Sequence, residues 1–332
     1  MKKLFLIDGM AIIYRAHFAM IKNPLITKDG RHTSAIFGFI NSMFKMINDE
    51  NPDYLAVVLD SKTKTFRHEL FTDYKANRQK MPDELAEQLS PLYEILNEMN
   101  IPLVSLDGYE ADDLIGTIAK KAEVNNFETY IMTGDKDMMQ LVSDKVFVYS
   151  PGNRFKPTTT YTKEKVLDRW GIDPSQFIDY LAMVGDSSDN VPGVDGIGAK
   201  SAVKLLQNYS SLEEILEKGH EASNKRIREG ISNGKDLAYL SKKLVTIDCC
   251  VPYEFHLENF IIKNMNNESL INILQDLELH SLINKVITPN DNIIENIEDD
   301  KNYLIIDNPE QLKIMIKELD NSSVIAFDII AD

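Results

Sequence analysis

Three apolar runs in the first part of the chain share one ending. LFLID closes at Asp8, YLAVVLD at Asp60 and TYIMTGD at Asp135. Each is continuous in apolar residues, the pattern of a parallel strand buried on both faces. With two further runs they predict strands near 2–8, 54–60, 102–106, 128–134 and 146–150. Between the first two lies SAIFGFINSMFKMINDE, whose apolar residues return at helical spacing, and helices near 83–99 and 111–124 follow the same logic. Strands alternating with helices predict βαβ units with right-handed crossovers, hence an α/β fold on a parallel sheet. The helix over 111–124 starts inside EADD, where negative side chains suit the positive end of the helix dipole.

From about 160 the strand signal fades. SQFIDYLAMVGD, AKSAVKLLQNY, SLEEILEKG, a stretch near 237–246 and a helix near 269–286 predict a second, mostly helical region. Residues 287–301 (ITPNDNIIENIEDDK) are acidic, rich in Asn and without period, as in a linker. Beyond them YLIID, a helix over NPEQLKIMIKELD and VIAFD form a βαβ-like piece that stops at Asp332. The expected domains are therefore 1–170, an α/β core carrying a basic segment at about 61–90, then a helical region at 171–288, a linker at 289–301 and a partial unit at 302–332.

Composition narrows the class. At 332 residues and 43% hydrophobic content the chain has room for two domains. No stretch approaches the roughly 18 uninterrupted apolar residues of a membrane span, and MKK runs into LFLID without a cleavage site, so a cytoplasmic protein is expected. The only cysteines, Cys249 and Cys250, are adjacent and unfit for a disulfide scaffold. A net charge of −16 argues against a nucleic-acid partner until its distribution is considered. Residues 291–332 hold eleven acids against three lysines, whereas residues 61–80 carry Lys62, Lys64, Arg67, Lys75, Arg78 and Lys80 against Glu69 and Asp73.

The candidate chemistry lies in nine acids: Asp8, Asp60, Glu110, Asp112, Asp113, Asp135, Asp137, Asp186 and Asp189. One Asp after a strand is commonly a turn or cap residue, but nine together are harder to dismiss. In an open α/β sheet, ligands bind where the strands end. Two unit charges 4 Å apart repel by about 4 kcal/mol at a protein-like dielectric, so such a pocket needs cations. All-oxygen ligation without nearby His or Cys favours Mg²⁺ or Mn²⁺ over Zn²⁺. Asp135 and Asp137 in TGDKD, and Asp186 and Asp189 in GDSSDN, are spaced to turn oxygens toward one point. In GYEADD, Asp113 shares a helical face with Glu110 if that turn is formed. Asp112 points elsewhere unless Glu110 precedes the helix.

Two further segments bear on partners. GVDGIGAK sets Gly193, Gly196 and Gly198 ahead of a helix with Lys200 and Lys204. It reads either as a tight inter-helix turn or as a backbone N–H cradle for a phosphate, and it is not a Walker loop. FRHELFTDYKANRQKMPDE interleaves aromatics with cations, as grooves for single-stranded nucleic acid do, though a solvated helical face has the same composition.

The order LIDG, VVLDSKTKTFRHELFTDYKANR, GYEADD, TGDKD, GDSSDNVPGVDGIGAKSA resembles the 5′-nuclease (5′-3′ exonuclease) domain of bacterial DNA polymerase I, over about residues 1–290. The resemblance implies a PIN-like α/β core with a helix-three-turn-helix DNA clamp, related to flap endonucleases. It implies two ions, Mg²⁺ or Mn²⁺, the first at Asp8, Asp60, Glu110 and Asp112 with Asp113 beside it, the second at Asp135, Asp137, Asp186 and Asp189. Arg67, Lys75 and Arg78 take catalytic places in a helical arch that meets the scissile phosphate. Tyr14 stacks on a terminal base, and Tyr74 contacts DNA. Gly193, Gly196, Gly198, Lys200, Ser201 and Lys204 clamp the duplex, and the 193–201 loop can hold K⁺.

The function so implied is a monomeric, metal-dependent 5′-3′ exonuclease and flap endonuclease acting on DNA with a 5′ flap, nick or 5′ end, and on RNA primers. The tail from about 301 resembles the start of a 3′-5′ exonuclease-like domain. In Asp328-Ile329-Ile330 an Ile stands where the second acid belongs, so that site is expected to be dead. An end inside a βαβ unit is expected of a fragment of a longer polymerase, and no polymerase motif is present. The rival readings are a non-catalytic DNA-junction module, a PIN-type ribonuclease and a receiver-like phosphoacceptor domain.

Overall fold

The computed structural model describes residues 1–153, 156–219, 224–287, 306 and 309–320. Chain contacts divide it into two units, Met1–Thr288 and Pro289–Asp332.

In the first unit the elements follow in the order β1 (Lys3–Asp8), α1 (Gly9–Ala19), α2 (Ser34–Glu50), β2 (Tyr54–Val58), α3 (Phe66–Leu70), α4 (Asp83–Glu98), β3 (Leu103–Val104), α5 (Ala111–Val124), β4 (Glu128–Met132), β5 (Val146–Ser150) and β6 (Thr159–Tyr161). Then come α6 (Lys163–Trp170), α7 (Phe177–Val184), α8 (Ala199–Asn208), α9 (Leu212–Lys218), α10 (Lys225–Asn233), α11 (Lys235–Val245), α12 (Asn267–Asp276) and α13 (His280–Ile287). The sheet order is β3-β2-β1-β4-β5-β6, parallel except for the last pair. The chain therefore leaves β1 toward β2 on one side and returns to β4 on the other. Between β1 and β4 lies the switch point, where strand ends open a crevice for ligands.

Strand alternation sends side chains into two cores. Leu4, Leu6, Ala56 and Val58 pack with α5 and the helical region, whereas Phe5, Ile7, Leu55 and Val57 pack with α1, α2, α4 and α12–α13. On α2, Ile36, Phe39, Ile40 and Met43 are fully buried at helical spacing.

Several expected bounds shift. β2 stops at Val58 and β4 at Met132, so Asp60 and Asp135 lie beyond the ladder with side chains turned to the rim. The edge strand expected over 102–106 is two residues long. The helix expected over 269–286 is two helices, because Glu278 takes a positive φ of 55° while Leu277 and Leu279 are buried on either side of it. α1, α6, α10 and the antiparallel β6 had no counterpart in the sequence reading. Of the arch at 61–90, Phe66–Leu70 forms one short helix and helix resumes at Asp83.

In the second unit α14 (Pro309–Asp320) coincides with the helix expected over 308–320. The linker at 289–301, the strand VIAFD with its Asp328, and all of YLIID but Ile306 lie outside the described residues. Among the described residues no helix is long and apolar enough to cross a membrane.

Candidate active site

Acid-bearing turns from several parts of the chain meet at the carboxyl ends of β1, β2 and β4. Asp8 is the last residue of β1 and the N-cap of α1, accepting the Ala11 N–H at 3.2 Å; its other oxygen accepts the Thr133 hydroxyl at 2.7 Å. Thr133 Oγ1 also accepts the Asp135 N–H at 2.9 Å, so one hydroxyl ties the ends of β1 and β4 together. Asp60 accepts the Ala111 N–H at 2.9 Å and seats the start of α5 against the end of β2. Glu110 has extended backbone and caps α5 rather than belonging to it. That settles the open question in GYEADD: Asp112, two residues on, faces Asp8, Asp135 and Asp60, and Asp113 does not. Asp135 Oδ1 accepts the Asp137 N–H at 2.8 Å, and Asp186 Oδ1 accepts the Ser188 N–H at 2.7 Å.

Crowding shows in the proton affinities. Desolvation first, then Asp60 and Asp135, push Asp8 up to about 7 against the pull of Thr133 and Ala11. Desolvation and Asp135 push Asp137 up to about 8. Desolvation raises Asp112 well above the usual range, with Asp8 and Asp135 adding to it. Asp135 rises by desolvation and by the charges of Asp189 and Asp186. On Asp186 desolvation also pushes up, but the Ser188 hydroxyl and Lys136 outweigh it and hold the group low.

Three cations of the chain sit on this rim. Lys75 Nζ lies 2.7 Å from Glu110 Oε1, Arg78 Nε 3.1 Å from Asp189 Oδ1, and Lys136 Nζ 2.9 Å from Asp186 Oδ2. Tyr74 is buried, with its hydroxyl 3.2 Å from Glu110 and 3.3 Å from Asp189. A ring so enclosed has no face for DNA, contrary to the expected contact. Tyr14 is half-buried on α1, two turns past Asp8, with its ring 6.1 Å from Phe18.

Arg67 and Asp113 also depart from their expected places. Arg67 is 2% exposed and pairs with the fully buried Asp113 through two bonds of 2.8 Å. Two further N–H groups meet Leu244 O and Thr246 O at 2.8 Å, and Nη1 stands 3.5 Å from Glu110 Oε2. Asp113 accepts two more bonds, from the N–H groups of Glu110 at 3.1 Å and Asp248 at 2.9 Å. Neither side chain has capacity left for an ion or a phosphate, so both hold the base of the site together.

In the 193–201 segment Gly193 and Gly196 have φ of 66° and 80°. A side chain at Gly193 would press on the Gly185 and Val184 backbone, and its N–H donates to the buried Ser241 hydroxyl at 3.0 Å. Gly198 caps α8, Ser201 lies in its first turn, and Lys200 and Lys204 stand exposed one turn apart on it.

A family model described as 5′-3′ exonuclease, N-terminal resolvase-like domain, matches residues 3–171, and one described as 5′-3′ exonuclease, C-terminal SAM fold, matches residues 172–268. The chain belongs to the 5′-3′ exonuclease family. It is a nuclease acting on DNA phosphodiester bonds. The nuclease is 41% identical over 286 residues to a 5′-3′ exonuclease of Aquifex aeolicus, covering 86% of this chain and 96% of that one. It is 42% identical over 286 residues to DNA polymerase I of Bacillus subtilis, covering 86% of this chain and 32% of the relative. It thus spans about a third of the length of that polymerase. Among solved structures, T5 5′-exonuclease with bound zinc ions aligns at a TM-score of 0.63 and 20% identity, covering 86% of this chain and 98% of that one. The catalytic core of Rad2 in complex with DNA substrate aligns at 0.59 and 16%, covering 87% and 92%. At that identity they support the resolvase-like, PIN-type fold of the nuclease.

The donor set fits divalent cations. Among the described residues no three acids converge as a ready-made cage. Instead Lys75, Arg78 and Lys136 neutralise part of the rim, and Asp137 Oδ1 is buried without a hydrogen-bond partner. An orphaned carboxylate oxygen among raised carboxyls is what a hard cation relieves. Sequence reasoning missed Thr133, Lys136 and Asn77, which donates to Ser187 O at 2.5 Å. The first two stand inside TGDKD, so the strand-end motif held the signal.

Proposed function

We propose that this nuclease cuts DNA at 5′ flaps, nicks and 5′ ends, and RNA primers on a DNA template, with two divalent ions, Mg²⁺ or Mn²⁺. Asp8, Asp60, Glu110 and Asp112 hold one; Asp135, Asp137, Asp186 and Asp189 hold or approach the other. Bound there, the ions supply an activated water and charge stabilisation for the leaving oxygen. Asp113 leaves the ligand set, and Arg67 the group that meets the phosphate.

The observation that supports this reading most is the carboxylate rim at the switch point, with Asp8 pushed up to about 7 and Asp137 to about 8. Groups so poised give up their protons readily to a metal. Lys75 and Arg78, paired here with Glu110 and Asp189, would carry the positive charge that meets the phosphate as it takes up charge. Tyr14 stacks on the terminal base. The N–H groups at the start of α8, with Lys200, Ser201 and Lys204, grip duplex phosphates without reading sequence, and the loop carbonyls take K⁺. The protein works as a monomer, in the cytoplasm and on the nucleoid.

The test is a labelled 5′-flap duplex incubated with Mg²⁺ or with chelator, beside a single-stranded RNA. Cleavage near the flap base, only with metal, is expected. RNA cleaved in preference to the flap points to a PIN-type ribonuclease, and binding without product to a junction module.

A further inference from the structure

We infer that Arg67 is a positioning residue that couples the helical region to the carboxylate rim, so that gripping duplex at the Gly193–Ser201 loop sets the geometry of Glu110 and Asp112. The inference rests on the nuclease reading above. A continuous set of buried contacts supports it. The Gly193 N–H is held by the fully buried Ser241, inside α11. α11 ends at Val245, and the carbonyls at and just past its end, Leu244 O and Thr246 O, each accept from Arg67 at 2.8 Å. The opposite side of the same guanidinium holds Asp113 through both Nη atoms, and its Nη1 stands 3.5 Å from Glu110 Oε2. Asp113 in turn accepts the Glu110 N–H and the Asp248 N–H. One rigid planar fork therefore fixes two backbone carbonyls on the helical side and the first turn of α5 on the rim side. Arg is suited to this and Lys is not, because five donors in a fixed plane cannot be matched by one ammonium.

The geometry has a consequence for rate. α3, which carries Arg67, begins the segment that delivers Tyr74 and Lys75 to Glu110. A shift of α11 toward or away from the rim must move the α5 cap with it, since at 2% and 0% exposure Arg67 and Asp113 have no solvent to turn to, and the other carboxylate near Arg67, Glu110 at 3.5 Å, is itself the α5 cap. Loss of rate from a misplacement of about 1 Å can reach about 10²-fold.

The experiment compares two flap substrates at saturating enzyme and Mg²⁺ in single turnovers. One has a downstream duplex long enough to reach the Gly193–Ser201 loop, and the other is trimmed short of it. The parent is expected to cleave the long substrate faster. Arg67→Lys is expected to lose about 10²-fold on the long substrate and far less on the trimmed one, so that the ratio falls toward one, while binding of the long duplex in Ca²⁺ stays within a few-fold of the parent. Arg67→Met combined with Asp113→Leu removes both charges but leaves Leu244 O, Thr246 O and the Glu110 and Asp248 N–H groups unpaired, so it is expected to melt below the parent but above Asp113→Ala, without recovering the ratio. A ratio preserved in either variant, an equal loss on both substrates, equal rates by the parent, or failure of both variants to fold overturns the inference and leaves Arg67 a structural ion pair. No cleavage by the parent at all counts against the nuclease reading instead.

Discussion

Lys75 bridges the two halves of the acidic rim, with Nζ 2.7 Å from Glu110 and 3.7 Å from Asp189. The main chain holds it there: Lys75 has a φ of 57°, and its N–H donates to Asp189 O at 2.9 Å. On the function proposed above, the ammonium competes with metal for the same oxygens without substrate, and with substrate its charge is needed at the phosphate. Lys75→Ala therefore separates the two roles. Single-turnover cleavage of a flap duplex at saturating Mg²⁺ is expected to fall by about 10²–10³-fold, while the Mg²⁺ concentration for half-maximal rate moves down. A variant that needs more Mg²⁺ than the parent would contradict the competition.

The raised carboxyls make stability depend on pH in a definite direction. Asp8 and Asp137 have folded-state values of about 7 and about 8, above those of an unfolded chain. Their favourable contribution is complete below the unfolded value of about 3.9 and is lost as pH rises through the folded values. Asp112 and Asp135 act in the same sense, and Asp186, held low, in the opposite one. In chelator the melting temperature is expected to decline between about pH 6 and about pH 8.5. Mg²⁺ is expected to raise it more at the upper end, where binding at a hundred times its Kd adds about 2.7 kcal/mol of stability per site. Calorimetry with and without metal checks this, and a Mg²⁺ increment larger at pH 6 would refute it.

The rim was legible in the sequence because each buried parallel strand leaves an apolar run, and the carboxylate that follows stands on the last rung of the ladder at Asp8 and just beyond it at Asp60 and Asp135. Register within the rim was less legible. Asp112 and Asp113 are neighbours, and only the position of Glu110 outside α5 decides which one faces Asp8. The partner that claims Asp113 lies 46 residues earlier in the chain. α1 was missed because GMAIIYRAHFA is apolar round most of its circumference and shows no clear stripe. KRIREGISN in α10 offers only Ile227 and Ile231 to a core, too few for a period. The break between α12 and α13 was hidden because Leu274, Leu277 and Leu282 are all buried, so burial continues through a turn that the sequence does not mark with Gly or Pro.

The two cysteines should differ sharply as nucleophiles. Burial pushes the Cys249 thiol up to about 11; its Sγ points at Ile247 O and would lie 2.9 Å from a side-chain carbon at Gly116, while Cys250 is exposed. With iodoacetamide near pH 8, Cys250 is expected to alkylate first and Cys249 on the order of 10²-fold more slowly, until denaturant exposes it. Peptide mass spectrometry over time reads the order directly. Equal rates in the folded protein would mean that the 247–251 segment opens away from α5.

Asp113 and Asp135 should fail in different ways when truncated. Asp113→Ala leaves Arg67 charged, 2% exposed and with only the more distant Glu110, 3.5 Å away, as counter-ion, and breaking a buried pair costs about 3–5 kcal/mol. Cleavage then falls because the site loosens, and the loss comes with a lower melting temperature. Asp135→Ala removes a carboxylate that desolvation and Asp189 already disfavour as an anion, so the metal-free protein is expected to melt at or above the parent temperature. Its cleavage of a flap duplex is expected to vanish, while binding in Ca²⁺ survives. Thermal melts beside cleavage assays separate the two. If Asp113→Ala melted with the parent and lost only its cleavage, Asp113 would return to the ligand set, and the ion pair with Arg67 would have to give way when metal binds.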